Sequence, residues 1–304
     1  MLAKAAPILL DYPNQQASSQ VWTTWAWTEL GVRTIANMNQ LLVDHEDIVA
    51  VCGADTLALT GSLASMQNLP VKMRTVAAET CQSLVQHEEW IATHAKVLRS
   101  HLPVLVELIV QDPVRDEPSG GDLEVWEAED PSSQRDEDDS TPGTSAEGSL
   151  DVLSEVAPKT TMKTLWPMMV QMAQSDDWLR RRGALVLLSV MAEACGDLII
   201  PKHTAALNAW LGQAAKDPHP RVRHACMHAL GQCSTDWAES EWVVDSADAL
   251  MTLILAVITT DDSLRVRTHA LAALINFSEG MPLDVVSRLS AATWQTWITP
   301  RLLM

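Results

Sequence analysis

The stretch DPHPRVRHACMHALGQCSTDW, residues 217–237, decides the fold of this chain. Starting from Val222, small or apolar residues recur at offsets of three, four, seven, eight and eleven, namely Ala225, Cys226, Ala229, Leu230 and Cys233. On an α-helix these offsets place all six side chains along one stripe. Asp217 and two prolines precede the run, and acidic residues favour the N-terminal end of a helix. The stretch therefore predicts a turn followed by a helix with one buried face.

The same pattern occurs at other places in the chain. From Val266 the identical offsets reach His269, Ala270, Ala273, Leu274 and Phe277. Five predicted helices share an arginine with a small residue three positions later, and these arginines are Arg33, Arg74, Arg181, Arg223 and Arg267. The last three arginines are 42 and 44 residues apart, and a helical period of about 40 to 47 residues is typical of HEAT or armadillo arrays.

Each repeat is predicted to be a pair of antiparallel helices. An amphipathic stretch precedes each Asp-rich turn, at 160–174, 202–215 and 247–259, so the unit runs helix A, turn, helix B. Strand-like alternation and glycine-rich phosphate motifs are absent from the sequence. We therefore expect an all-α fold, an α-solenoid of about six HEAT repeats in which small residues allow the helices to approach closely.

The composition narrows the functional class. The 304 residues carry a net charge of −18, which argues against a nucleic-acid binder that coats phosphates with basic side chains. The longest uncharged apolar run, at 250–258, is far shorter than the roughly 20 residues that span a bilayer. Five cysteines without a C-x-x-C pair favour reduced thiols in an intracellular protein.

Much of the acidity lies in one segment. Residues 111–140 hold twelve acidic residues and two arginines, and therefore −10 of the net charge of −18. Three prolines, two glycines and few large apolar side chains leave this segment unable to bury enough surface to fold alone. We expect a disordered acidic loop over 111–143, dispensable for folding and inserted within a repeat, with HEAT repeats over 1–110 and 144–304.

No residue pattern points to catalysis or to a metal. His224 and His228 have the spacing of two metal ligands on one helix, but no third ligand lies nearby in sequence. Cys226 and Cys233 fall at predicted core positions, whereas a catalytic thiol needs an exposed, electropositive setting. The nucleophile motif G-x-S-x-G is absent. We expect no enzyme activity, no cofactor and no metal.

Charged residues recur at equivalent positions of the repeats, namely Asp217, Arg181, Arg223 and Arg267. These side chains could contact a ligand, or they could form a structural ladder of Asp–Arg pairs between adjacent repeats. The ladder is the preferred interpretation, because hydrogen-bonded ion pairs fix the register of packed elements.

The repeats resemble those of the importin-beta (karyopherin-beta) superfamily, in particular its importin-five branch. The resemblance rests on 217–237, on DDWLRRRGALVLLSVMAEACGD (176–197) before it and on RVRTHALAALINFSEGMP (265–282) after it. It continues through 69–109. The acidic segment falls where that branch has an acidic insertion containing tryptophan, and its matching residues are Trp126, Asp136, Glu137, Asp138 and Asp139.

The resemblance implies a receptor that carries cargo into the nucleus. In this family helix B lines the concave face, and its last turns contact cargo. This implies that a Lys-rich import signal binds at Glu193, Asp236, Trp237, Asn276 and Glu279, although such residues could also be ordinary solvated helix ends. The acidic loop would attract basic cargo at long range, or it would only aid solubility.

The resemblance also implies partners and a location. The implied partners are ribosomal-protein- or histone-like cargo, Ran-GTP and Phe-Gly nucleoporins, without direct binding to nucleic acid or insertion into a membrane. The implied location is the cytoplasm and the nucleus.

Members of the family are much longer, and the chain ends just after a helix-A-like stretch at 286–298, so we expect a partial chain. A HEAT-repeat scaffold subunit of a cytosolic signalling or phosphatase complex is the alternative function. The position of the acidic insertion and the match at 217–237 favour transport over the scaffold.

Overall fold

A computed structural model describes residues 21–115, 122–128, 140–282, 285 and 287 of the chain. All regular secondary structure in these residues is helical. The helices are α1 (Val21–Asp44), α2 (Glu46–Ser65), α3 (Val71–Val85), α4 (Glu88–Thr93), α5 (Ala95–Arg115), α6 (Leu123–Ala128), α7 (Pro142–Val156), α8 (Pro158–Ala173), α9 (Trp178–Ala214), α10 (Pro220–Asp236), α11 (Glu241–Thr260) and α12 (Leu264–Glu279).

The helices form two compact units, one of residues 1–122 with 134–165 and one of 123–133 with 166–304. In the first unit α2 packs on α3 and α5 packs on α7, while α3 also contacts α7. In the second unit α9 packs on α10 and α11 packs on α12, while α10 also contacts α12. Each unit thus contains helix pairs whose second members stack on each other, the packing of a HEAT array.

The division of the chain differs from the predicted boundaries at 110 and 144. Helices α5 and α7, which flank the acidic segment, pack against each other within the first unit. The change of unit falls inside α8, between Leu165 and Trp166. The insertion therefore joins two helices of one unit, because the apolar faces of α5 and α7 are buried against each other.

Helix α9 is longer than the sequence pattern suggested. Separate helices were expected around 176–197 and 202–215, yet Trp178–Ala214 forms one helix of 37 residues with Pro201 inside it. A proline inside a helix removes one hydrogen bond and costs about 3 kcal/mol. The buried stripe continues past it, from Ile199 to Leu207 and Leu211. Packing on both sides of Pro201 therefore outweighs the local cost.

The acidic segment 111–143 is more ordered than expected at both of its ends. Helix α5 continues to Arg115, and the buried carboxylate of Asp112 accepts a 2.6 Å hydrogen bond from the Thr141 hydroxyl. Thr141 in turn caps α7, since its Oγ1 accepts a hydrogen bond from the Thr144 N–H. The prediction of a disordered loop is therefore corrected at these ends, where side-chain hydrogen bonds hold the chain.

Part of the same segment lies outside the described residues. The four acidic residues Asp136, Glu137, Asp138 and Asp139 belong to that part. Most of the separate stretch 286–298 also lies outside the described residues. The intervening residues Leu123–Ala128 form α6, in which Trp126 is buried.

In the part of the chain that the structure describes, three helices are long and apolar enough to cross a membrane by length and composition alone, namely α2, α9 and α11. Each of these apolar windows holds no more than two charged residues, so they are longer than the uncharged run at 250–258. In α9, 67% of the apolar window is buried inside the protein, and in α2 and α11 the share is 44%. The buried residues of these helices pack within the helix pairs described above.

Trp237 ties three helices of the second unit together. Its side chain is 4% exposed, and the indole N–H donates a 2.7 Å hydrogen bond to the Ala192 carbonyl in α9. The ring also meets Trp242 of α11 edge-on at 5.1 Å between centroids. A Cβ atom on Gly196 would lie 2.5 Å from the Trp237 Nε1, so this glycine provides the space for the ring.

Gly196→Ala is expected to lower the free energy of unfolding by about 1–3 kcal/mol, because the added methyl group must displace the Trp237 ring. Gly212→Ala in the same helix is the matched control, since a Cβ there meets no atom within 4 Å. The control should be neutral or stabilising by about 0.5–1 kcal/mol. Urea unfolding of both variants measures the difference, and equal stabilities would contradict the packing role of Gly196.

Candidate functional site

Helices α10 and α12 run side by side in the same direction. Near their starts the rings of His224 and His269 stack at 4.2 Å between centroids. In the middle a Cβ on Gly231 would lie 3.3 Å from the Ala273 Cα. At their ends a Cβ on Gly280 would lie 2.7 Å from the Ser234 carbonyl oxygen. The two N-terminal ends therefore form one end of a shared face, and the two C-terminal ends form the other.

The C-terminal ends of this face carry most of the residues proposed from sequence for cargo binding. Asp236 is half-buried at the end of α10 and accepts hydrogen bonds of 3.0 and 3.1 Å from the Gln232 amide. Asn276 is half-buried, and its Nδ2 lies 3.5 Å from where a Cβ on Gly231 would be, so it reaches α10. Glu279 is exposed in the last turn of α12. Asp236, Asn276 and Glu279 thus share one end of the face.

The other two residues proposed for cargo binding lie elsewhere. Glu193 is exposed in the middle of α9. Trp237 is buried and bonded to the Ala192 carbonyl, so it is corrected from a cargo contact to a packing residue. Trp237 was predicted to contact cargo because it directly follows a helix. The absence of a side chain at Gly196 leaves room for its ring against α9.

The N-terminal ends of the same face are basic and aromatic. Arg221 of α10 and Arg265 of α12 lie over the ring of Trp126, at 5.3 and 4.7 Å from guanidinium carbon to ring centroid. His224 meets the same ring edge-on at 5.5 Å. This cluster was not predicted from the sequence, although both helices begin with the same R-V-R motif, at 221–223 and 265–267.

The histidines at this end are kept uncharged by their surroundings. Burial, with smaller contributions from His269 and Arg265, holds the pKa of His224 well below its ordinary value. Burial, followed by His228 and Arg265, lowers the pKa of His269 to about 4. The His269 Nε2 and His228 Nδ1 atoms are 3.3 Å apart. At neutral pH the arginines therefore carry the positive charge of this cluster.

Two of the three ladder arginines bind an aspartate of the next repeat. Arg181 donates to both carboxylate oxygens of Asp217, at 2.6 and 3.0 Å. Arg223 donates in the same two-pronged way to Asp261, at 2.6 and 2.9 Å. Arg267 instead donates to the Ile258 carbonyl at 2.9 Å. The pairs link α9 to the turn before α10, and α10 to the turn before α12.

No protein-family model matches the chain. Importin subunit beta-3 of Saccharomyces cerevisiae is 37% identical over 123 residues, which is 40% of this chain and 11% of that protein. The crystal structure of Kap121p bound to the extreme C-terminus of the protein phosphatase Cdc14p matches 97% of this chain, with a TM-score of 0.77 and 22% identity. Kap121p bound to RanGTP matches 90%, with a TM-score of 0.74 and 23% identity.

The chain is therefore similar to importin subunit beta-3 over part of its sequence and to Kap121p in its fold. At these identities the structural matches establish the fold, and they confirm the prediction of an all-α HEAT-repeat solenoid. The chain spans 11% of the length of importin subunit beta-3 and 27% of that of Kap121p. The chain therefore matches only part of each of these longer proteins.

The similar proteins are named as an importin and a karyopherin, and neither name denotes an enzyme. Burial raises the pKa of the Cys81 thiol to about 12 and that of the Cys195 thiol to about 11, so neither is ionised at neutral pH. Within the described residues, no group of three or more His, Cys, Asp or Glu could hold a metal ion.

The ladder can be tested on two neighbouring aspartates. Asp261 is 4% exposed at its side chain and binds Arg223, whereas Asp262 beside it is exposed. Asp261→Asn should lower the free energy of unfolding by about 2–3 kcal/mol, because hydrogen bonds between charged groups are lost in a partly buried place. Asp262→Asn removes the same charge and should change it by less than about 0.5 kcal/mol. Urea unfolding that gave equal effects would contradict the ladder.

The histidine cluster makes stability depend on pH. The pKa of His269 is about 4 in the folded chain, against an ordinary value of 6.5, so the unfolded chain binds its proton first as the pH falls. His269 thus contributes a loss of stability between about pH 6.5 and pH 4. His269→Gln should make the fall in melting temperature over this range shallower. An unchanged pH profile in the variant would contradict the folded-state pKa.

Proposed function

We propose that this chain is a segment of a nuclear transport receptor that binds basic import signals of cargo at the C-terminal ends of α10 and α12. The observation that carries the proposal is that Asp236, Asn276 and Glu279 share one end of a face made by two parallel helices. The similarity to importin subunit beta-3 supports the transport role.

The electrostatics of this end favour a lysine side chain. Helix C-terminal ends carry partial negative charge on their unpaired carbonyls, and two parallel helices add this effect in one place. Asp236 and Glu279 add two carboxylates, while the Asn276 amide can accept a hydrogen bond from an ammonium group. An extended, Lys-rich peptide laid across the two helix ends would therefore meet acceptors on both.

The acidic segment is proposed to act at longer range. Its residues Asp136, Glu137, Asp138 and Asp139 are among the acidic residues that give the chain its net charge of −18. Such a field raises the encounter rate with a basic partner and is screened by salt. Trp126 does not share this role, since its ring is buried within the second unit.

Further partners are proposed from the similarity to importin subunit beta-3 and Kap121p. Kap121p has been crystallised with RanGTP, and we propose that the full-length protein to which this segment corresponds releases cargo when Ran-GTP binds. Phe-Gly nucleoporins are the proposed contacts during passage between the cytoplasm and the nucleus. Ribosomal-protein- or histone-like proteins are the proposed cargo, because their import signals are rich in lysine.

Binding kinetics of an immobilised Lys-rich import peptide, at two salt concentrations, test the proposal. Glu279→Gln and Asp236→Asn should each speed dissociation about 5- to 100-fold, because a close charged contact of roughly 1–3 kcal/mol is lost. Asp245→Asn is the matched control, since Asp245 is an exposed aspartate on α11, outside the α10 and α12 face.

Serine replacement of Asp136, Glu137, Asp138 and Asp139 should slow association instead and weaken its salt dependence. Equal effects of the loop and helix-end variants on both rates would contradict the division of roles. No binding by the folded chain would favour the scaffold alternative, a HEAT-repeat subunit of a cytosolic signalling or phosphatase complex.

A further inference from the structure

The short helix α6 of the acidic segment is seated on the N-terminal ends of α10 and α12. Trp126 is 5% exposed, with Arg265 and Arg221 over its ring and His224 at its edge. A cation over an aromatic face, shielded from water, is a favourable contact. The ring is therefore held by side chains of two successive repeats.

The residue beside Trp126 adds a polar contact. The Glu127 carboxylate accepts a 2.9 Å hydrogen bond from the Ser263 hydroxyl, in the turn before α12. The Trp126 carbonyl accepts a hydrogen bond from the Arg265 guanidinium. The helix ends thus contact the Trp126 ring, the Trp126 carbonyl and the carboxylate of Glu127. They therefore recognise a Trp-Glu pair within an acidic segment.

The seated helix is too short to be stable by itself. It has six residues, whereas isolated helices shorter than about 12 residues are marginal even for favourable sequences. Leu123 and Val125, its other larger apolar residues, remain 37% and 47% exposed. The contacts of Trp126 and Glu127 with α10 and the region around the start of α12 are therefore what orders this helix. Because these contacts are few, another peptide can replace them.

We propose that the N-terminal ends of α10 and α12 form a docking surface for an acidic, tryptophan-containing peptide of a partner protein, and that Trp126 and Glu127 occupy this surface as an internal competitor. Charge complementarity supports this class of partner, since Arg221 and Arg265 provide the cations and Ser263 the donor. The helix N-terminal ends add partial positive charge of the same sign.

This surface is separate from the proposed import-signal site. The 17 residues of α10 place its two ends about 24 Å apart at a rise of roughly 1.5 Å per residue. The face therefore offers an acidic end for a basic peptide and a basic end for an acidic one. The docking surface stands even if the import-signal site fails its test, because it rests on different residues.

A tethered competitor has a large effective concentration, on the order of millimolar for a flexible connection. A peptide added at micromolar concentration should therefore fail to displace Trp126 from the surface in the wild-type chain. Trp126→Ala removes the internal occupant and should open it. A fluorescein-labelled peptide with the sequence of residues 122–128, DLEVWEA, is the probe.

Fluorescence anisotropy should show the probe binding to the full Trp126→Ala chain at least about tenfold more tightly than to wild type. Adding Arg265→Gln to that variant should reduce probe binding at least about tenfold. Adding Arg267→Gln instead should leave it within about twofold, since Arg267 sits two residues away and donates to the Ile258 carbonyl. The probe with alanine in place of tryptophan should not bind.

Equal binding to wild type and Trp126→Ala would overturn the proposal, as would equal losses from the two arginine variants. Concentration-dependent dimerisation of Trp126→Ala with no binding of the probe would also overturn it, because the surface would then accept a second copy and not a partner peptide. Hydrogen exchange in the otherwise intact chain gives an independent measurement. Residues 123–128 should exchange faster in Arg265→Gln than in Arg267→Gln, and equal rates would contradict docking through Arg265.

Discussion

The two-pronged ion pair between an arginine in one helix and an aspartate in the next turn is the interaction on which the second unit depends. The Asp217 and Asp261 carboxylates each accept an arginine from the preceding repeat and a backbone N–H of their own turn, from His219 and Ser263 respectively. Each aspartate therefore shapes its turn and fixes the start of the following helix at the same time. Because the geometry is repeated, the register of α9, α10 and α12 is set by one recurring device.

A fixed register gives the face its polarity. Helices α10 and α12 start at the same level and run parallel, so their dipoles and end residues add instead of cancelling. The face has cations at one end, where Arg221 and Arg265 lie over Trp126, and carboxylates at the other, at Asp236 and Glu279. In a chain of net charge −18, this local separation of charge gives two places where partners of opposite charge can bind.

The repeating features could be predicted from the sequence, and the single long-range contacts could not. The stripe from Val222 to Cys233 reflects contacts along one helix, and the period of the arginines reflects contacts between adjacent repeats. Both patterns therefore predicted the helices. The burial of Trp237 depends on a gap at Gly196 in another helix. The docking of Trp126 depends on Arg265, far along the chain, and no local pattern indicates which segment will cover a pair of arginines.

Hydrogen exchange of the chain saturated with a Lys-rich import peptide shows directly whether the acidic end of the α10 and α12 face is the recognition site. We expect slower amide exchange in the last turns of α10 and α12, around Asp236 and Glu279, with α11 residues near Asp245 unchanged. Slower exchange confined to α11, or to the N-terminal ends of α10 and α12, would contradict it.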